Sequence, residues 1–163
     1  RLYAGESSRT THGAQECVDA CALFADMLVL ALHGKEKAAI LTQAWEGGEP
    51  IRSEKINAIA KGEFRQKVMA QIHGSGYVVA ALEAALWCFW NTSTFTEAIL
   101  AAVNLGDDAD TTAAICGQIA GAFYGERDIP AQWLEKLYMR REIAKLAEEL
   151  GQASEVIRTH NVW

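Results

Sequence analysis

Proline is almost absent: Pro50 and Pro130 are the only two in 163 residues. With half of the residues hydrophobic, that scarcity excludes an extended, disordered chain and favours a compact, helix-rich globule of single-domain size, 1–163. No segment alternates polar and apolar residues with period two, so strands are not expected and the fold class is all-α. Internal repeats and low-complexity tracts are missing too. Basic character is lacking: a net charge of −6 argues against nucleic acid or an anionic membrane surface as a partner. No apolar run reaches the length of a membrane span, the best being Tyr77 to Trp90, which contains Glu83. No signal peptide is visible. There is no Cys-x-x-Cys pair, and Cys17 and Cys21, four apart on one predicted helix, are badly spaced for a disulfide. Together with Cys88 and Cys116 they read as buried free thiols of a reducing, cytoplasmic compartment, and zinc is poorly supported.

What is present is a succession of helical patterns. Residues 1–12 read as an irregular polar lead-in. Val18, Cys21, Ala22, Ala25, Leu28, Val29 and Leu32 mark a helix over 13–32, ended by Gly34. A second helix over 35–45 is closed by Gly47-Gly48-Glu49-Pro50, the strongest breaker in the chain. A short amphipathic helix follows over 53–60, and 63–72 reads as a loop with a turn of helix. Further helices are expected over 77–90, from a Thr94 or Thr96 cap to Val103, from Asp108 onward, after Pro130, and over 140–150 before a fraying tail. Trp45, Trp87, Trp90, Trp133 and Trp163 are most simply packing residues.

The segment Asn104-Leu105-Gly106-Asp107-Asp108-Ala109-Asp110-Thr111-Thr112 puts three carboxylates and two hydroxyls where a loop becomes a helix. One acid would cap the helix and suit its dipole. Three in four positions, entering an apolar helix, repel one another unless a cation sits among them, and the repulsion should raise the pKa of at least one. Carboxylate and hydroxyl oxygens are hard donors suited to Mg²⁺, Mn²⁺ or Ca²⁺. Asp108 and Thr111, three apart, share a face of the first turn with Asp110 beside them. The bland alternative is an exposed acidic N-cap. Against it, Gly117, Gly121 and Gly125 repeat every four residues behind the acids, a flat stripe expected to let another helix approach closely.

A second element, Gly74-Ser75-Gly76-Tyr77, precedes a helix N-terminus, where backbone N–H groups and the helix dipole attract anions. A diphosphate fits there, with the Tyr77 ring available for stacking. An ordinary Gly-rich helix start with Tyr77 in the core fits the same residues. His12, after Thr10-Thr11, is either a donor to a phosphate or ribose hydroxyl or a helix-capping or surface residue. His73 reads as a solvated loop residue, and His33 and His160 carry no signal.

Gly-Asp-Asp-Ala-Asp-Thr-x-Ala-Ala at 106–114, continuing through Gly117, Ala120-Gly121-Ala122 and Gly125, resembles the C-terminal signature of the ADP-ribosylglycohydrolase family. Ser8-Arg9-Thr10-Thr11-His12 resembles that family's Ser/Thr-His element, and Gly76 to Trp87 its Gly-Tyr-Val-Val…Leu-Glu-Ala-Ala-Leu-Trp block. The blocks keep the family's order over about residues 7–133, whereas Ala80 stands where many members carry a polar residue.

The resemblance implies a compact orthogonal multi-helix fold and a hydrolase with two Mg²⁺ ions (Mn²⁺ as a substitute) that cleaves ADP-ribose from a protein side chain or small acceptor. It implies Asp108, Asp110 and Thr111 as metal ligands, and His12, Gly74, Ser75, Gly76 and Tyr77 as substrate contacts. The family's other metal ligands, a Thr-Asp-Asp element and a separate acid expected to be catalytic, do not occur in this sequence. It therefore reads as the C-terminal part of a larger enzyme, inactive in isolation. Alternatives are a non-hydrolysing ADP-ribose or nucleotide-binding module of the same fold and, more weakly, a purely structural helical domain.

Overall fold

The computed structural model describes residues 1–45 and 50–160, with residues 154–160 by backbone alone. Gly47, Gly48 and Glu49 of the expected breaker, and Trp163, lie outside the described residues. Among the described residues there are nine α-helices and no strand: α1 Leu2–Arg9, α2 Gln15–Leu32, α3 Lys37–Gln43, α4 Glu54–Ala60, α5 Val78–Trp90, α6 Phe95–Asn104, α7 Ala109–Tyr124, α8 Ala131–Lys136 and α9 Arg140–His160. The fold is all-α. Short 3₁₀ turns at Glu63–Gln66 and Met69–Gln71 fill the stretch expected to be mostly loop. The chain divides into two compact units, Arg1–Asp128 and Ile129–Trp163.

In the first unit, α7 packs against α2, α5 and α6, and α1 lies along α2. Leu23 and Met27 of α2, Ile56 and Ile59 of α4, Leu86 and Phe89 of α5 and Ile119 of α7 are buried in the core. Removing such side chains from water is the main favourable term in folding. The α6–α7 seam is built from small residues: Ala98, Ala102, Cys116 and Ala120 are all fully buried. A Cβ on Gly117 would come 3.4 Å from Ile99 Cδ1, and one on Gly121 3.9 Å from Phe95 Cε2. The expected stripe is thus two residues long. Gly125 does not belong to it: at φ +81° it terminates α7, its N–H bonding to Gly121 O.

Two boundaries differ from expectation. The opening residues are helical, not irregular. The buried face of α1 is made by Gly5 and Ser8, and a Cβ on Gly5 would sit 3.3 Å from Val18 Cγ1. No apolar periodicity betrays a helix that packs through a glycine and a serine. At the other end, α9 runs to His160, well past the end expected near Leu150.

Lys37 ties the helix ends together. Its ammonium donates to Phe89 O at 2.7 Å and Thr92 O at 2.6 Å, at the C-terminus of α5. It also lies 4.4 Å from the Phe89 ring centroid and 5.1 Å from that of Tyr124. Desolvation lowers its pKa from the ordinary lysine value. Buried Asp19 on α2 does similar work, accepting from the backbone N–H groups of Arg52 at 2.9 Å and Ser53 at 2.7 Å, which fixes the start of α4.

Candidate functional site

The loop before α7 is shaped by two consecutive residues in the left-handed region, Gly106 at φ 73° and Asp107 at φ 55°. Glycine bears this conformation without steric cost, and Asp is among the few other residues that tolerate it. The turn delivers Asp108 to the N-cap of α7, where its backbone N–H bonds to Gly74 O at 3.0 Å. That bond joins the acidic loop to the glycine-rich segment before α5.

The Asp108 carboxylate makes no capping bond to the helix. Its Oδ1 accepts the Thr111 hydroxyl at 3.0 Å, and its Oδ2 lies on the side of Gly76, where a Cβ would come within 3.4 Å. An acid serving as a helix cap would bond the N–H groups of the first turn; Asp108 turns its oxygens elsewhere. The Asp110 side chain meets that of Asp108. The Thr111 backbone N–H, the Asp108 side chain and its own backbone N–H hold the Asp110 carboxyl below the ordinary aspartate value. Asp110 is therefore not the acid whose pKa is raised: the helix-start amides and the Asp108 contact outweigh its desolvation. Among the described residues no three Asp, Glu, His or Cys side chains converge as a metal-holding group. The contacts at the start of α7 join two carboxylates, Asp108 and Asp110, and one hydroxyl, Thr111.

Thr112, the second hydroxyl, turns inward. It is fully buried, its Oγ1 has no hydrogen-bond partner, and a Cβ on Gly74 would approach it to 2.9 Å. Gly74 is glycine here because α7 leaves no room for a side chain.

A cavity of about 450 Å³ runs past these elements, lined by Ser8, His12, Glu16, Cys17, Gly76, Tyr77 and Thr111 among others. His12, Gly76, Tyr77 and Thr111, contributed by three separate stretches of chain, share this one cavity. The His12 backbone is pinned by Ser8, which accepts its N–H at 2.7 Å and donates its own hydroxyl to His12 O at 2.9 Å; the ring is exposed and sits 3.0 Å from Thr11 Oγ1. Ser75 Oγ accepts the Tyr77 N–H at 3.4 Å at the start of α5. Tyr77 is not in the core: it is 42% exposed. Among the described residues, Glu16 is the only fully charged one lining the cavity.

Several wall residues went unrecognised in the sequence. Glu16, Cys17 and Cys21 reach the cavity from the first turns of α2, and Lys55 of α4 bonds Tyr77 at 2.7 Å. The signal for the first three was their position on the helix that follows His12. Cys21 is exposed and Cys17 half-buried, so the expectation of buried thiols holds only for Cys88 and Cys116.

A family model described as ADP-ribosylglycohydrolase matches residues 1–159. The chain belongs to the ADP-ribosylglycohydrolase family. It is 50% identical over 143 residues to the ADP-ribosylarginine hydrolase Tri1 of Pseudomonas putida (strain GB-1), covering 88% of this chain and 38% of that protein. It is 44% identical over 78 residues to the ADP-ribosyl-[dinitrogen reductase] glycohydrolase of Rhodospirillum rubrum, covering 47% of this chain and 26% of that protein. A solved structure described as an ADP-ribosylglycohydrolase-related protein complex superposes with a TM-score of 0.79 at 39% identity, covering 88% of this chain and 49% of that one. The chain thus spans less than half the length of the curated ADP-ribosylglycohydrolases named here.

Proposed function

We propose that the protein hydrolyses the glycosidic bond between ADP-ribose and an acceptor, with arginine-linked ADP-ribose the first substrate to test. The observation that carries this reading is that the Asp108 backbone is bonded to Gly74, that Asp108 also holds the Thr111 hydroxyl, and that Thr111, Gly76, Tyr77 and His12 line one cavity. Names borne by the relatives support the choice of linkage.

The donor chemistry suits Mg²⁺ or Mn²⁺: Asp108, Asp110 and Thr111 offer only hard oxygens, and Asp108 is not spent on capping. When bound, such an ion supplies Lewis-acid polarisation and neutralises charge near the substrate. The chain's own residues do the rest of the work available here. Backbone N–H groups around Gly74, Ser75 and Gly76, at the positive end of α5, bind the diphosphate. His12 donates to a phosphate or ribose hydroxyl, and Tyr77 packs its ring against the ligand. The carboxylates of Asp108 and Asp110 face the ribose, where positive charge develops as the bond breaks.

Two Mg²⁺ ions present about twelve ligand positions, of which these three side chains fill a minority. The remaining ligands and the catalytic acid are expected from residues outside these 163, so the activity is assigned to the whole protein and not to the isolated segment. The test is to assay the full-length protein on an arginine-ADP-ribosylated peptide with Mg²⁺. Asp108→Asn or Asp110→Asn should cut turnover by about 100-fold or more. Mg²⁺-dependent ADP-ribose binding with no turnover of arginine, serine or small-molecule linkages would instead assign a binding module.

A further inference from the structure

Two positions at the cavity mouth break the ordinary local rules, and they touch. Tyr77 occupies the N-cap of α5, where a short polar side chain is favoured, and its side chain makes no capping bond. Lys55 sits in the first turn of α4, where the helix dipole disfavours a cation. The two meet: Lys55 Nζ donates to Tyr77 Oη at 2.7 Å and lies 5.0 Å from the ring centroid. The Tyr77 hydroxyl in turn donates to Glu16 Oε2 at 2.6 Å, and Lys55 closes the triangle on Glu16 Oε1 at 3.3 Å. Local propensity is sacrificed at two places to build a single clamp joining α2, α4 and the start of α5. Such conflicts are expected where function overrides local preference.

The clamp has two consequences for a ligand. First, the Tyr77 hydroxyl has both a donor and an acceptor partner within the protein, so what it offers the cavity is its ring, held in one orientation. Second, Glu16 is the only fully charged cavity-lining residue among those described, and a bare carboxylate there would repel an anionic ligand. Lys55, outside the lining, neutralises it from behind.

We propose that Glu16 and Lys55 are positioning residues that fix the Tyr77 ring at the cavity mouth against a planar part of the substrate, and that Lys55 additionally masks the Glu16 charge from the substrate's diphosphate. This inference rests on the reading of the cavity as the ADP-ribosyl site. It predicts an asymmetry that a merely structural bridge would not produce. Glu16→Gln loosens the ring but removes the repelling charge. Lys55→Met loosens the ring and exposes that charge.

The experiment uses the full-length protein, measuring Kd for free ADP-ribose and KM and kcat on an ADP-ribosylated peptide. Glu16→Gln and Tyr77→Phe should each raise Kd and KM by roughly two- to five-fold, the range of exposed polar couplings, with kcat little changed. Lys55→Met should exceed both, and adding Glu16→Gln to Lys55→Met should recover part of the loss. In the Tyr77→Phe background, the ring-orienting effect of Glu16→Gln should vanish. The clamp is overturned if Tyr77→Ala weakens ADP-ribose binding while Glu16→Gln and Lys55→Met leave Kd and KM alone, or shift only the thermal midpoint. If Tyr77→Ala also leaves Kd unchanged, both the clamp and the role of Tyr77 in the ADP-ribosyl site are lost.

Discussion

The Thr111 hydroxyl donates to Asp108 Oδ1 over 3.0 Å, one helical turn along from the residue it holds. The bond orients the carboxylate that opens α7 while leaving the hydroxyl's lone pairs free for a cation. Thr111→Val keeps the shape and removes both the orientation and the oxygen proposed as a metal ligand, so on that proposal Mg²⁺ affinity should fall about ten-fold or more. Thr111→Ser retains the oxygen and should lose far less. Titration calorimetry with Mg²⁺ on both variants checks this; equal affinity in wild type and Thr111→Val would remove Thr111 from the metal shell.

Gly74 and Gly76 should separate stability from binding. A Cβ at Gly74 meets the buried Thr112 Oγ1 at 2.9 Å and Gly106 O at 3.4 Å, neither of which is a flexible tip. Gly74→Ala should therefore cost about 1–3 kcal/mol and lower the thermal midpoint. At Gly76 the added methyl meets only Asp108 Oδ2, at 3.4 Å. Gly76→Ala should fold normally yet weaken Mg²⁺-dependent ADP-ribose binding. Thermal melts beside ADP-ribose titrations read the two effects apart.

The residues proposed here to bear the chemistry stand out in the sequence more than their surroundings do. Asp108, Asp110 and Thr111 stand out because so much charge at the head of an apolar helix exceeds what one helix cap needs, and Gly74–Tyr77 because two glycines precede another. The clamp was not legible: Glu16, Lys55 and Tyr77 come from three elements, and only tertiary packing brings Lys55 to Tyr77 across 22 positions. Nor was α1, whose inward face is Gly5 and Ser8. Helix periodicity records apolar faces, and a helix that docks through small or polar residues leaves no such trace.

Lys37 should prove a major stabilising residue remote from the cavity. Its ammonium satisfies the carbonyls of Phe89 and Thr92 at the end of α5. Lys37→Met keeps the stem but leaves both oxygens without that donor, and should cost about 1–3 kcal/mol. For a protein of this size that corresponds to a drop of several degrees, at about 2–4 °C per kcal/mol. Kd for ADP-ribose should be unaffected below the transition. A melt unchanged by Lys37→Met would show that water satisfies those carbonyls equally well.

The four cysteines should divide sharply by reactivity. Burial pushes the Cys88 thiol up to about 11 and, with Cys88 adding to it, the Cys116 thiol up to about 12. At neutral pH both carry a negligible thiolate fraction, and thiolate is the reactive form. Cys17 and Cys21 instead line the cavity, half-buried and exposed respectively. A disulfide reagent added to the native protein should therefore modify Cys21 first, then Cys17, and reach Cys88 and Cys116 only after denaturation. Because the modified thiols lie one turn apart in the cavity wall, their adducts should occupy ligand space and abolish ADP-ribose binding. ADP-ribose, once bound, should slow the labelling in return. Mass spectrometry of the labelled peptides, with and without ADP-ribose, reads both effects. Labelling of Cys21 at the same rate in the presence of saturating ADP-ribose would place the ligand away from this wall of the cavity.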